Sequence, residues 1–191
     1  SICQNEQIPI GYFVTGGESK LKKTSWFPTD SLSSSKGFYT YAYPSKNTLY
    51  TLTVEDLQGC KINDSTMVQV ISKPTAIIGL KETCAGLLFS FENKSDYQNS
   101  QPDSIYWDFG VLGSSNFNNP KYFIDSAQQI KAMLYVNNKY GCWDTTSSIL
   151  NVNPNPQASF SYNEGCAEDT AQFVSRSSIS LGRIMNKWVI D

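Results

Sequence analysis

Apolar and polar residues alternate along several segments of the chain, and each segment is bounded by turn-forming residues. Within residues 48–56 the apolar positions are Tyr50, Leu52 and Val54, with polar residues between them. Because successive side chains of a strand point to opposite faces, this alternation predicts a strand with one buried face. Asn, Asp, Gly, Pro and Ser recur at short intervals, and no long segment has helical periodicity. The pattern predicts an all-β protein.

The alternation returns along the chain with a period of roughly 80 residues, which indicates tandem copies of one folding unit. The tryptophans Trp26, Trp107 and Trp188 are equally spaced at this period. The strand positions that recur one period apart are Tyr50 and Ala132, Leu52 and Leu134, Val54 and Val136, Val68 and Leu150, and Val70 and Val152. Tryptophans and strand positions therefore follow the same repeat.

The period divides the chain into three repeats. Residues 1–73 form a first repeat that lacks its first strand, residues 74–155 a complete repeat, and residues 156–191 the start of a third, truncated one. The joints "ISKPTA" and "NPNPQA" are short and contain proline, which fixes the backbone. We therefore expect immunoglobulin-like β-sandwiches arranged end to end in a rod, as an internal piece of a longer chain.

The three repeated tryptophans are predicted to be core residues. In the segment "IYWDFG", alternation places Trp107 and Phe109 on one face of a strand and Asp108 on the other. Asp-Phe-Gly also holds magnesium in protein kinases, but the Gly-rich loop, strand lysine and His-Arg-Asp loop of a kinase are absent from the sequence. The tripeptide is therefore interpreted as part of a core strand.

Composition argues against several classes of function. The chain has no histidine, which excludes Ser-His and Cys-His nucleophile pairs and most catalytic zinc sites. It has 15 Lys and Arg against 17 Asp and Glu, so no basic field attracts nucleic acid. Its apolar runs are too short to insert into a membrane, and no signal peptide opens the sequence. We expect no catalytic and no metal-binding residues.

The five cysteines follow the repeat and predict disulfides in an oxidising compartment. The candidates are Cys3, Cys60, Cys84, Cys142 and Cys166. The preferred pairing lies within repeats, as Cys3–Cys60 and Cys84–Cys142, with the partner of Cys166 outside the chain. In an immunoglobulin-like strand order, however, these cysteines would lie at opposite ends of a sandwich. The alternative is Cys3–Cys142, across two repeats.

The segment "YWDFG", followed by "NNPKYFIDSAQQIKAMLYVNNKYGCWDTT", resembles a PKD (polycystic kidney disease) domain. Residues 1–73 resemble a sister form, through "SWFPTDSLSS" and "NTLYTLTVEDLQGC". Such alternating modules are similar to the stalks of gliding-motility adhesins of the SprB type, which Bacteroidota export through the type 9 secretion system. The resemblance implies PKD-like sandwiches.

The same resemblance implies a non-enzymatic stalk or spacer of a large secreted cell-surface adhesin, extracellular and used for gliding motility or surface attachment. Its expected partners are neighbouring repeats, surface polysaccharide, or the secretion and gliding machinery. Some relatives bind calcium near the Phe-Gly turn. Here Phe109-Gly110 is followed by Val111-Leu112 rather than by an acidic residue, so we expect no cofactor.

Two further features leave alternatives open. Trp143 has no aromatic counterpart in the first repeat, where Lys61 takes its place, and it is a candidate exposed contact for a sugar, a partner or a neighbouring module. The chain would then be a carbohydrate- or protein-binding module, or else accessory repeats of a large secreted hydrolase. Six Asp-Ser or Asp-Thr segments resemble Bacteroidota O-glycosylation signals, although such pairs also start turns. Their hydroxyls are Ser31, Ser65, Ser104, Ser126, Thr145 and Thr170.

Overall fold

The computed structural model of the protein describes residues 1–12, 21–163, 165–166 and 170–189. Its elements are strands, apart from one short 3-10 turn at Gly110–Leu112. The strands of the first repeat are β1 (Ile2–Cys3), β2 (Ile8–Gly11), β3 (Leu21–Phe27), β4 (Tyr39–Ala42), β5 (Thr48–Asp56), β6 (Lys61–Val68) and β7 (Val70–Ile71). The all-β prediction is confirmed.

The remaining strands belong to the second and third repeats. Those of the second repeat are β8 (Ile78–Gly79), β9 (Thr83–Cys84), β10 (Leu87–Ser90), β11 (Glu92–Asn93), β12 (Pro102–Asp108), β13 (Ser114–Ser115), β14 (Lys121–Ile124), β15 (Gln128–Asn138) and β16 (Trp143–Asn153). The third repeat contributes β17 (Phe160–Tyr162) and β18 (Phe173–Ser175), which pair antiparallel.

The chain folds into two compact units whose bounds differ from the sequence repeats. The first unit comprises residues 1–75, 96–103 and 136–144, so it takes in the turn between β15 and β16. The second comprises residues 76–95, 104–135 and 145–191.

The first unit is a sandwich of two antiparallel sheets, and it also contains the parallel pair of β1 with β7. One has the strand order β3-β5-β6, and the other pairs β2 with β4. The alternation of β5 buries Tyr50, Leu52 and Val54 against residues from the other strands. Trp26 of β3, opposite Leu52 in register, is 1 % exposed, and its indole Nε1 donates to the Gly37 carbonyl at 2.9 Å. This core is closed by side chains from both sheets.

Tyr50 combines core burial with a polar anchor. Its ring is fully buried, and its hydroxyl donates to the Asp30 carbonyl at 3.3 Å. Burial, followed by the charges of Tyr43 and Asp30, raises the pKa of the Tyr50 hydroxyl above its ordinary value. The hydroxyl therefore remains a protonated donor at neutral pH.

The second unit is organised around an aromatic cluster. Strand β12, which contains Trp107, belongs to a five-stranded sheet of the order β13-β12-β15-β16-β9, and β10 pairs with β14. Trp107 of β12 is fully buried, with its ring centroid 6.0 Å from Phe91 and 5.6 Å from Phe109. Ala132 and Leu134 of β15 are buried at the positions that match Tyr50 and Leu52 of β5. The two repeats therefore bury equivalent faces of equivalent strands.

Trp188 differs from the other two repeated tryptophans, because it is 46 % exposed. Its ring lies 5.9 Å from Phe160 and 6.0 Å from Phe173. In the first repeat the register partner of the tryptophan is Leu52 of β5, and the described residues of the third repeat contain no counterpart of that strand. The prediction that Trp188 is a core residue is therefore wrong: the ring is partly exposed, and no strand among the described residues takes the place that β5 has beside Trp26.

Candidate functional site

A disulfide joins a strand of the first repeat to a turn of the second. Cys3 of β1 is bonded to Cys142, in the turn between β15 and β16, with a Cα–Cα distance of 5.5 Å and a sequence separation of 139. Both cysteines are buried, and both belong to the first compact unit. This bond is the candidate functional site, because it ties the two repeats covalently.

The preferred within-repeat pairing is therefore wrong, and strand length gives the reason. Strands β6 and β7 together run from Lys61 to Ile71. Cys3 pairs in register with Ile71 at the end of this segment, whereas Cys60 directly precedes its start. Residues 61–71 of an extended chain span about 33 Å at about 3.3 Å per residue. A disulfide needs a Cα–Cα distance of about 4.4 to 6.8 Å. Cys60 is too far from Cys3 to bond with it.

The same argument applies to the pair Cys84–Cys142. Cys84 pairs in register with Asn153, the last residue of β16, while Cys142 directly precedes its first residue. The 11 residues of β16 separate the two cysteines by a similar length of strand.

A buried asparagine shapes the turn that presents Cys142. The Asn138 side-chain oxygen accepts hydrogen bonds from the backbone N–H groups of Tyr140 and Cys142, both at 3.1 Å. Its own backbone N–H donates to the Cys142 carbonyl at 3.0 Å. Gly141 adopts a φ of 81°, which is strained for residues other than glycine. These bonds fix the backbone of Cys142 against the end of β15.

Asn138 also binds the first repeat directly. It is fully buried, and its Nδ2 donates to the Ser72 carbonyl at 3.1 Å. Sequence reasoning missed this residue. The signal in the sequence is that Asn138 stands one repeat period after Asp56, at a position where an amide replaces a carboxylate. Only the amide can donate.

Replacing Asn138 by aspartate is expected to lower the free energy of unfolding by about 1 to 3 kcal/mol at neutral pH. The variant keeps both acceptor bonds of the turn but turns a carboxylate oxygen toward the Ser72 carbonyl oxygen. Since burial raises the pKa of such a carboxyl above its ordinary value of about 3.9, the loss grows as pH rises and shrinks as the carboxyl is protonated. Urea unfolding at neutral pH and at about pH 4 measures both effects.

The matched control is Asp56→Asn in the first repeat. Asp56 makes the same two acceptor bonds, to the N–H groups of Gln58 at 2.9 Å and Cys60 at 2.8 Å. An asparagine at position 56 preserves these bonds, so we expect the free energy of unfolding to change by no more than about 0.5 kcal/mol. Equal losses in the two variants would contradict the role assigned to the Asn138–Ser72 bond.

The remaining cysteines have different surroundings. Cys60 and Cys84 form no disulfide with another described residue, and the first is exposed while the second is half-buried. Cys166 is exposed.

Trp143, the candidate contact residue, is the first residue of β16 and is 57 % exposed. It directly follows the bonded Cys142. Its accessibility allows it to contact a partner, and that role stays a prediction.

The six predicted glycosylation positions are mostly accessible. Ser65, Ser104, Ser126, Thr145 and Thr170 are exposed, and Ser31 is half-buried with a φ of 60°. Asp169, which precedes Thr170, lies outside the described residues. Accessibility is necessary for modification but does not establish it, so the glycosylation also stays a prediction.

The carboxylate of Asp108 is engaged within the turn that follows β12. Asp108 uses its carboxylate to accept from the Gly110 N–H at 2.8 Å. Calcium takes six to eight oxygen ligands, usually from several carboxylates. Among the described residues, no group of three or more His, Cys, Asp or Glu side chains lies close enough to hold a metal ion. Nor does any helix in the described part of the chain have the length and apolar character needed to cross a membrane.

Comparison with known proteins adds evidence on the fold. No family model matches the chain, and no curated protein sequence does. A solved structure of the N-terminal eight Ig domains of Down Syndrome Cell Adhesion Molecule is similar with a TM-score of 0.60 at 12 % identity, over 94 % of this chain and 26 % of that one. The chain has an immunoglobulin-like β-sandwich fold.

PKD domains are also among the similar structures. The PKD1 domain of Vibrio anguillarum Epp is 29 % identical over 44 % of this chain and 96 % of that one, with a TM-score of 0.39. The PKD1 domain from Vibrio cholerae metalloprotease PrtV is 28 % identical over 42 % of this chain and 96 % of that one, with a TM-score of 0.37.

Proposed function

We propose that this immunoglobulin-like chain is a non-enzymatic stalk segment of a large secreted adhesin, located at the cell surface and serving attachment or gliding motility. The observation that carries the proposal is the Cys3–Cys142 disulfide. A covalent bond between two repeats carries tension from one to the other past the residues that the bond encloses. A spacer that holds a distal binding region away from the cell needs this property.

Two more observations support a spacer. Short, proline-containing joints connect the repeats, and such joints limit bending. The polar side chains of the described site make hydrogen bonds that hold a turn and a strand, and these bonds serve structure. The partners of the segment in this proposal are the adjoining repeats, while surface polysaccharide or the secretion and gliding machinery engages other parts of the parent protein.

A second candidate function is a carbohydrate- or protein-binding module, which the exposure of Trp143 favours. Exposed aromatic rings stack on sugars and anchor protein interfaces. The two functions differ in whether this one side chain is needed.

The substitution Trp143→Lys in the parent protein tests the choice. The fold already accepts lysine at this position, since Lys61 occupies it in the first repeat. The spacer proposal predicts unchanged attachment of cells to surfaces and unchanged display of the protein. Loss of attachment with normal display would overturn it in favour of the binding module. Ile149→Lys, another exposed apolar position of β16, controls for added charge.

A further inference from the structure

Cys84 lies at the position in the second repeat that the bonded Cys3 has in the first. β1 pairs parallel with β7, which places Cys3 opposite Ile71, and β9 pairs parallel with β16, which places Cys84 opposite Asn153. The backbone bond that follows each cysteine is also repeated. Gln4 N–H donates to the Ile71 carbonyl at 2.8 Å, and Ala85 N–H donates to the Asn153 carbonyl at 2.9 Å.

Cys60 likewise lies in a copy of the turn that carries the bonded Cys142. The Asp56 N–H donates to the Cys60 carbonyl at 3.0 Å, the same distance as in the Asn138–Cys142 bond. Gly59 has a φ of 88°, against 81° for Gly141. In both turns the side chain of the first residue accepts from the cysteine N–H.

Each of these two cysteines, Cys84 and Cys60, therefore has a bonded copy in the same fold position of the other repeat. The disulfide joins two kinds of position, which we call half-sites. The strand half-site is a strand cysteine of one repeat, and the turn half-site is a turn cysteine of the repeat that follows. In Cys3–Cys142 both halves are present and bonded. Cys84 is a strand half-site and Cys60 a turn half-site, and neither is bonded to another described residue.

We propose that Cys84 forms a disulfide with the turn cysteine of the repeat that follows, and Cys60 with the strand cysteine of a repeat that precedes, so that every joint of the parent protein carries one bond of this type. The direction is set by Cys3–Cys142, in which the earlier repeat supplies the strand cysteine. This inference depends on the repeat geometry and does not depend on the adhesin function.

The partner is a neighbouring repeat of the same polypeptide and not a second copy. A repeat tethered by a joint as short as "NPNPQA" meets its neighbour at an effective concentration in the millimolar range. Separate chains at ordinary concentrations compete poorly with such a tethered partner.

Each bond forms by thiol–disulfide exchange with an oxidised dithiol–disulfide oxidant of the compartment that the protein passes through. The Cys84 thiolate attacks the oxidant's disulfide and forms a mixed disulfide. The partner thiolate then attacks the Cys84 sulfur, which forms the new S–S bond and releases the reduced oxidant. Two thiols lose two protons and two electrons, and the oxidant's disulfide gains both as a dithiol.

The test is disulfide mapping of the full-length protein purified from the cells that make it, with thiols blocked by alkylation at lysis. After non-reducing digestion, we expect the Cys84 peptide to be joined to a Gly-Cys turn peptide of another repeat, and the Cys60 peptide to a strand-cysteine peptide. Recovery of Cys60 and Cys84 as alkylated thiols, or joined to each other, would overturn the proposal. A decrease in the mass of the intact protein on reduction, from two chains to one, would also overturn the proposal, because it would show that these bonds join separate chains.

A variant makes the test specific to the pairing. Cys84→Ser in the parent protein is expected to leave one additional alkylated cysteine, in the turn of the following repeat, and to leave the Cys3–Cys142 peptide unchanged. If the same number of cysteines is alkylated as in the wild type, Cys84 has no such partner. Adhesion is not the readout, so this result is independent of the proposed function.

Discussion

Removing the Cys3–Cys142 bond is expected to lower the free energy of unfolding of the chain by about 5 kcal/mol, the chain-entropy value for a loop of this length. The bond closes a sequence separation of 139, and the cost of closing a loop in the unfolded chain grows with the logarithm of its length. The variant is Cys142→Ser, compared with the wild type in urea unfolding followed by tryptophan fluorescence.

Cys60→Ser is the matched control, because Cys60 lies in the same kind of turn but is exposed and not bonded to another described residue. It is expected to change the free energy of unfolding by less than about 0.5 kcal/mol. Reductant should bring the wild type to the stability of Cys142→Ser and leave that variant unchanged. A Cys142→Ser protein as stable as the wild type would show that the bond does not constrain the unfolded chain.

The strands of this fold could be predicted because they are local. The alternation around Tyr50, Leu52 and Val54 specifies a strand with one buried face, and all three side chains are buried in β5. Because β15 follows β5 by one repeat period, the same strand could be predicted there from the sequence alone.

The disulfide could not be chosen from sequence, because it depends on which ends of two strands meet. Period and spacing are equally compatible with Cys3–Cys60 and Cys3–Cys142. The decision comes from the parallel pairing of β1 with β7, which sets Cys3 a strand's length away from Cys60. Asn138 escaped notice for a related reason: its contact with Ser72 is distant in sequence, and polar turn residues are common in sequences of this kind.

Trp188 shows the limit of inference from a repeat. Its position in the period matches two buried tryptophans, yet burial requires a covering strand as well as a position. A repeat therefore predicts the local strand more securely than it predicts the core.

Replacing Trp107 by alanine is expected to lower the free energy of unfolding by about 3 to 5 kcal/mol, because it removes a fully buried indole from the aromatic cluster with Phe91 and Phe109. Far-UV circular dichroism during urea unfolding measures the loss without relying on the fluorescence of the deleted residue. Val111→Ala, a truncation of an exposed side chain near the same strand, serves as the control and is expected to be nearly neutral.

Replacing each of the two core tryptophans, Trp26 and Trp107, by phenylalanine distinguishes the contribution of ring packing from that of the indole hydrogen bond. Trp26 Nε1 donates to Gly37, whereas no described residue accepts a hydrogen bond from the buried Trp107 Nε1. Trp26→Phe leaves a carbonyl without its donor, while Trp107→Phe removes an N–H that burial has deprived of water. Trp26→Phe should therefore lower the free energy of unfolding by about 1 to 2 kcal/mol more than Trp107→Phe does. Equal costs would mean that the Trp107 N–H is hydrogen-bonded in solution, and that the two tryptophans are equivalent in chemistry as well as in position.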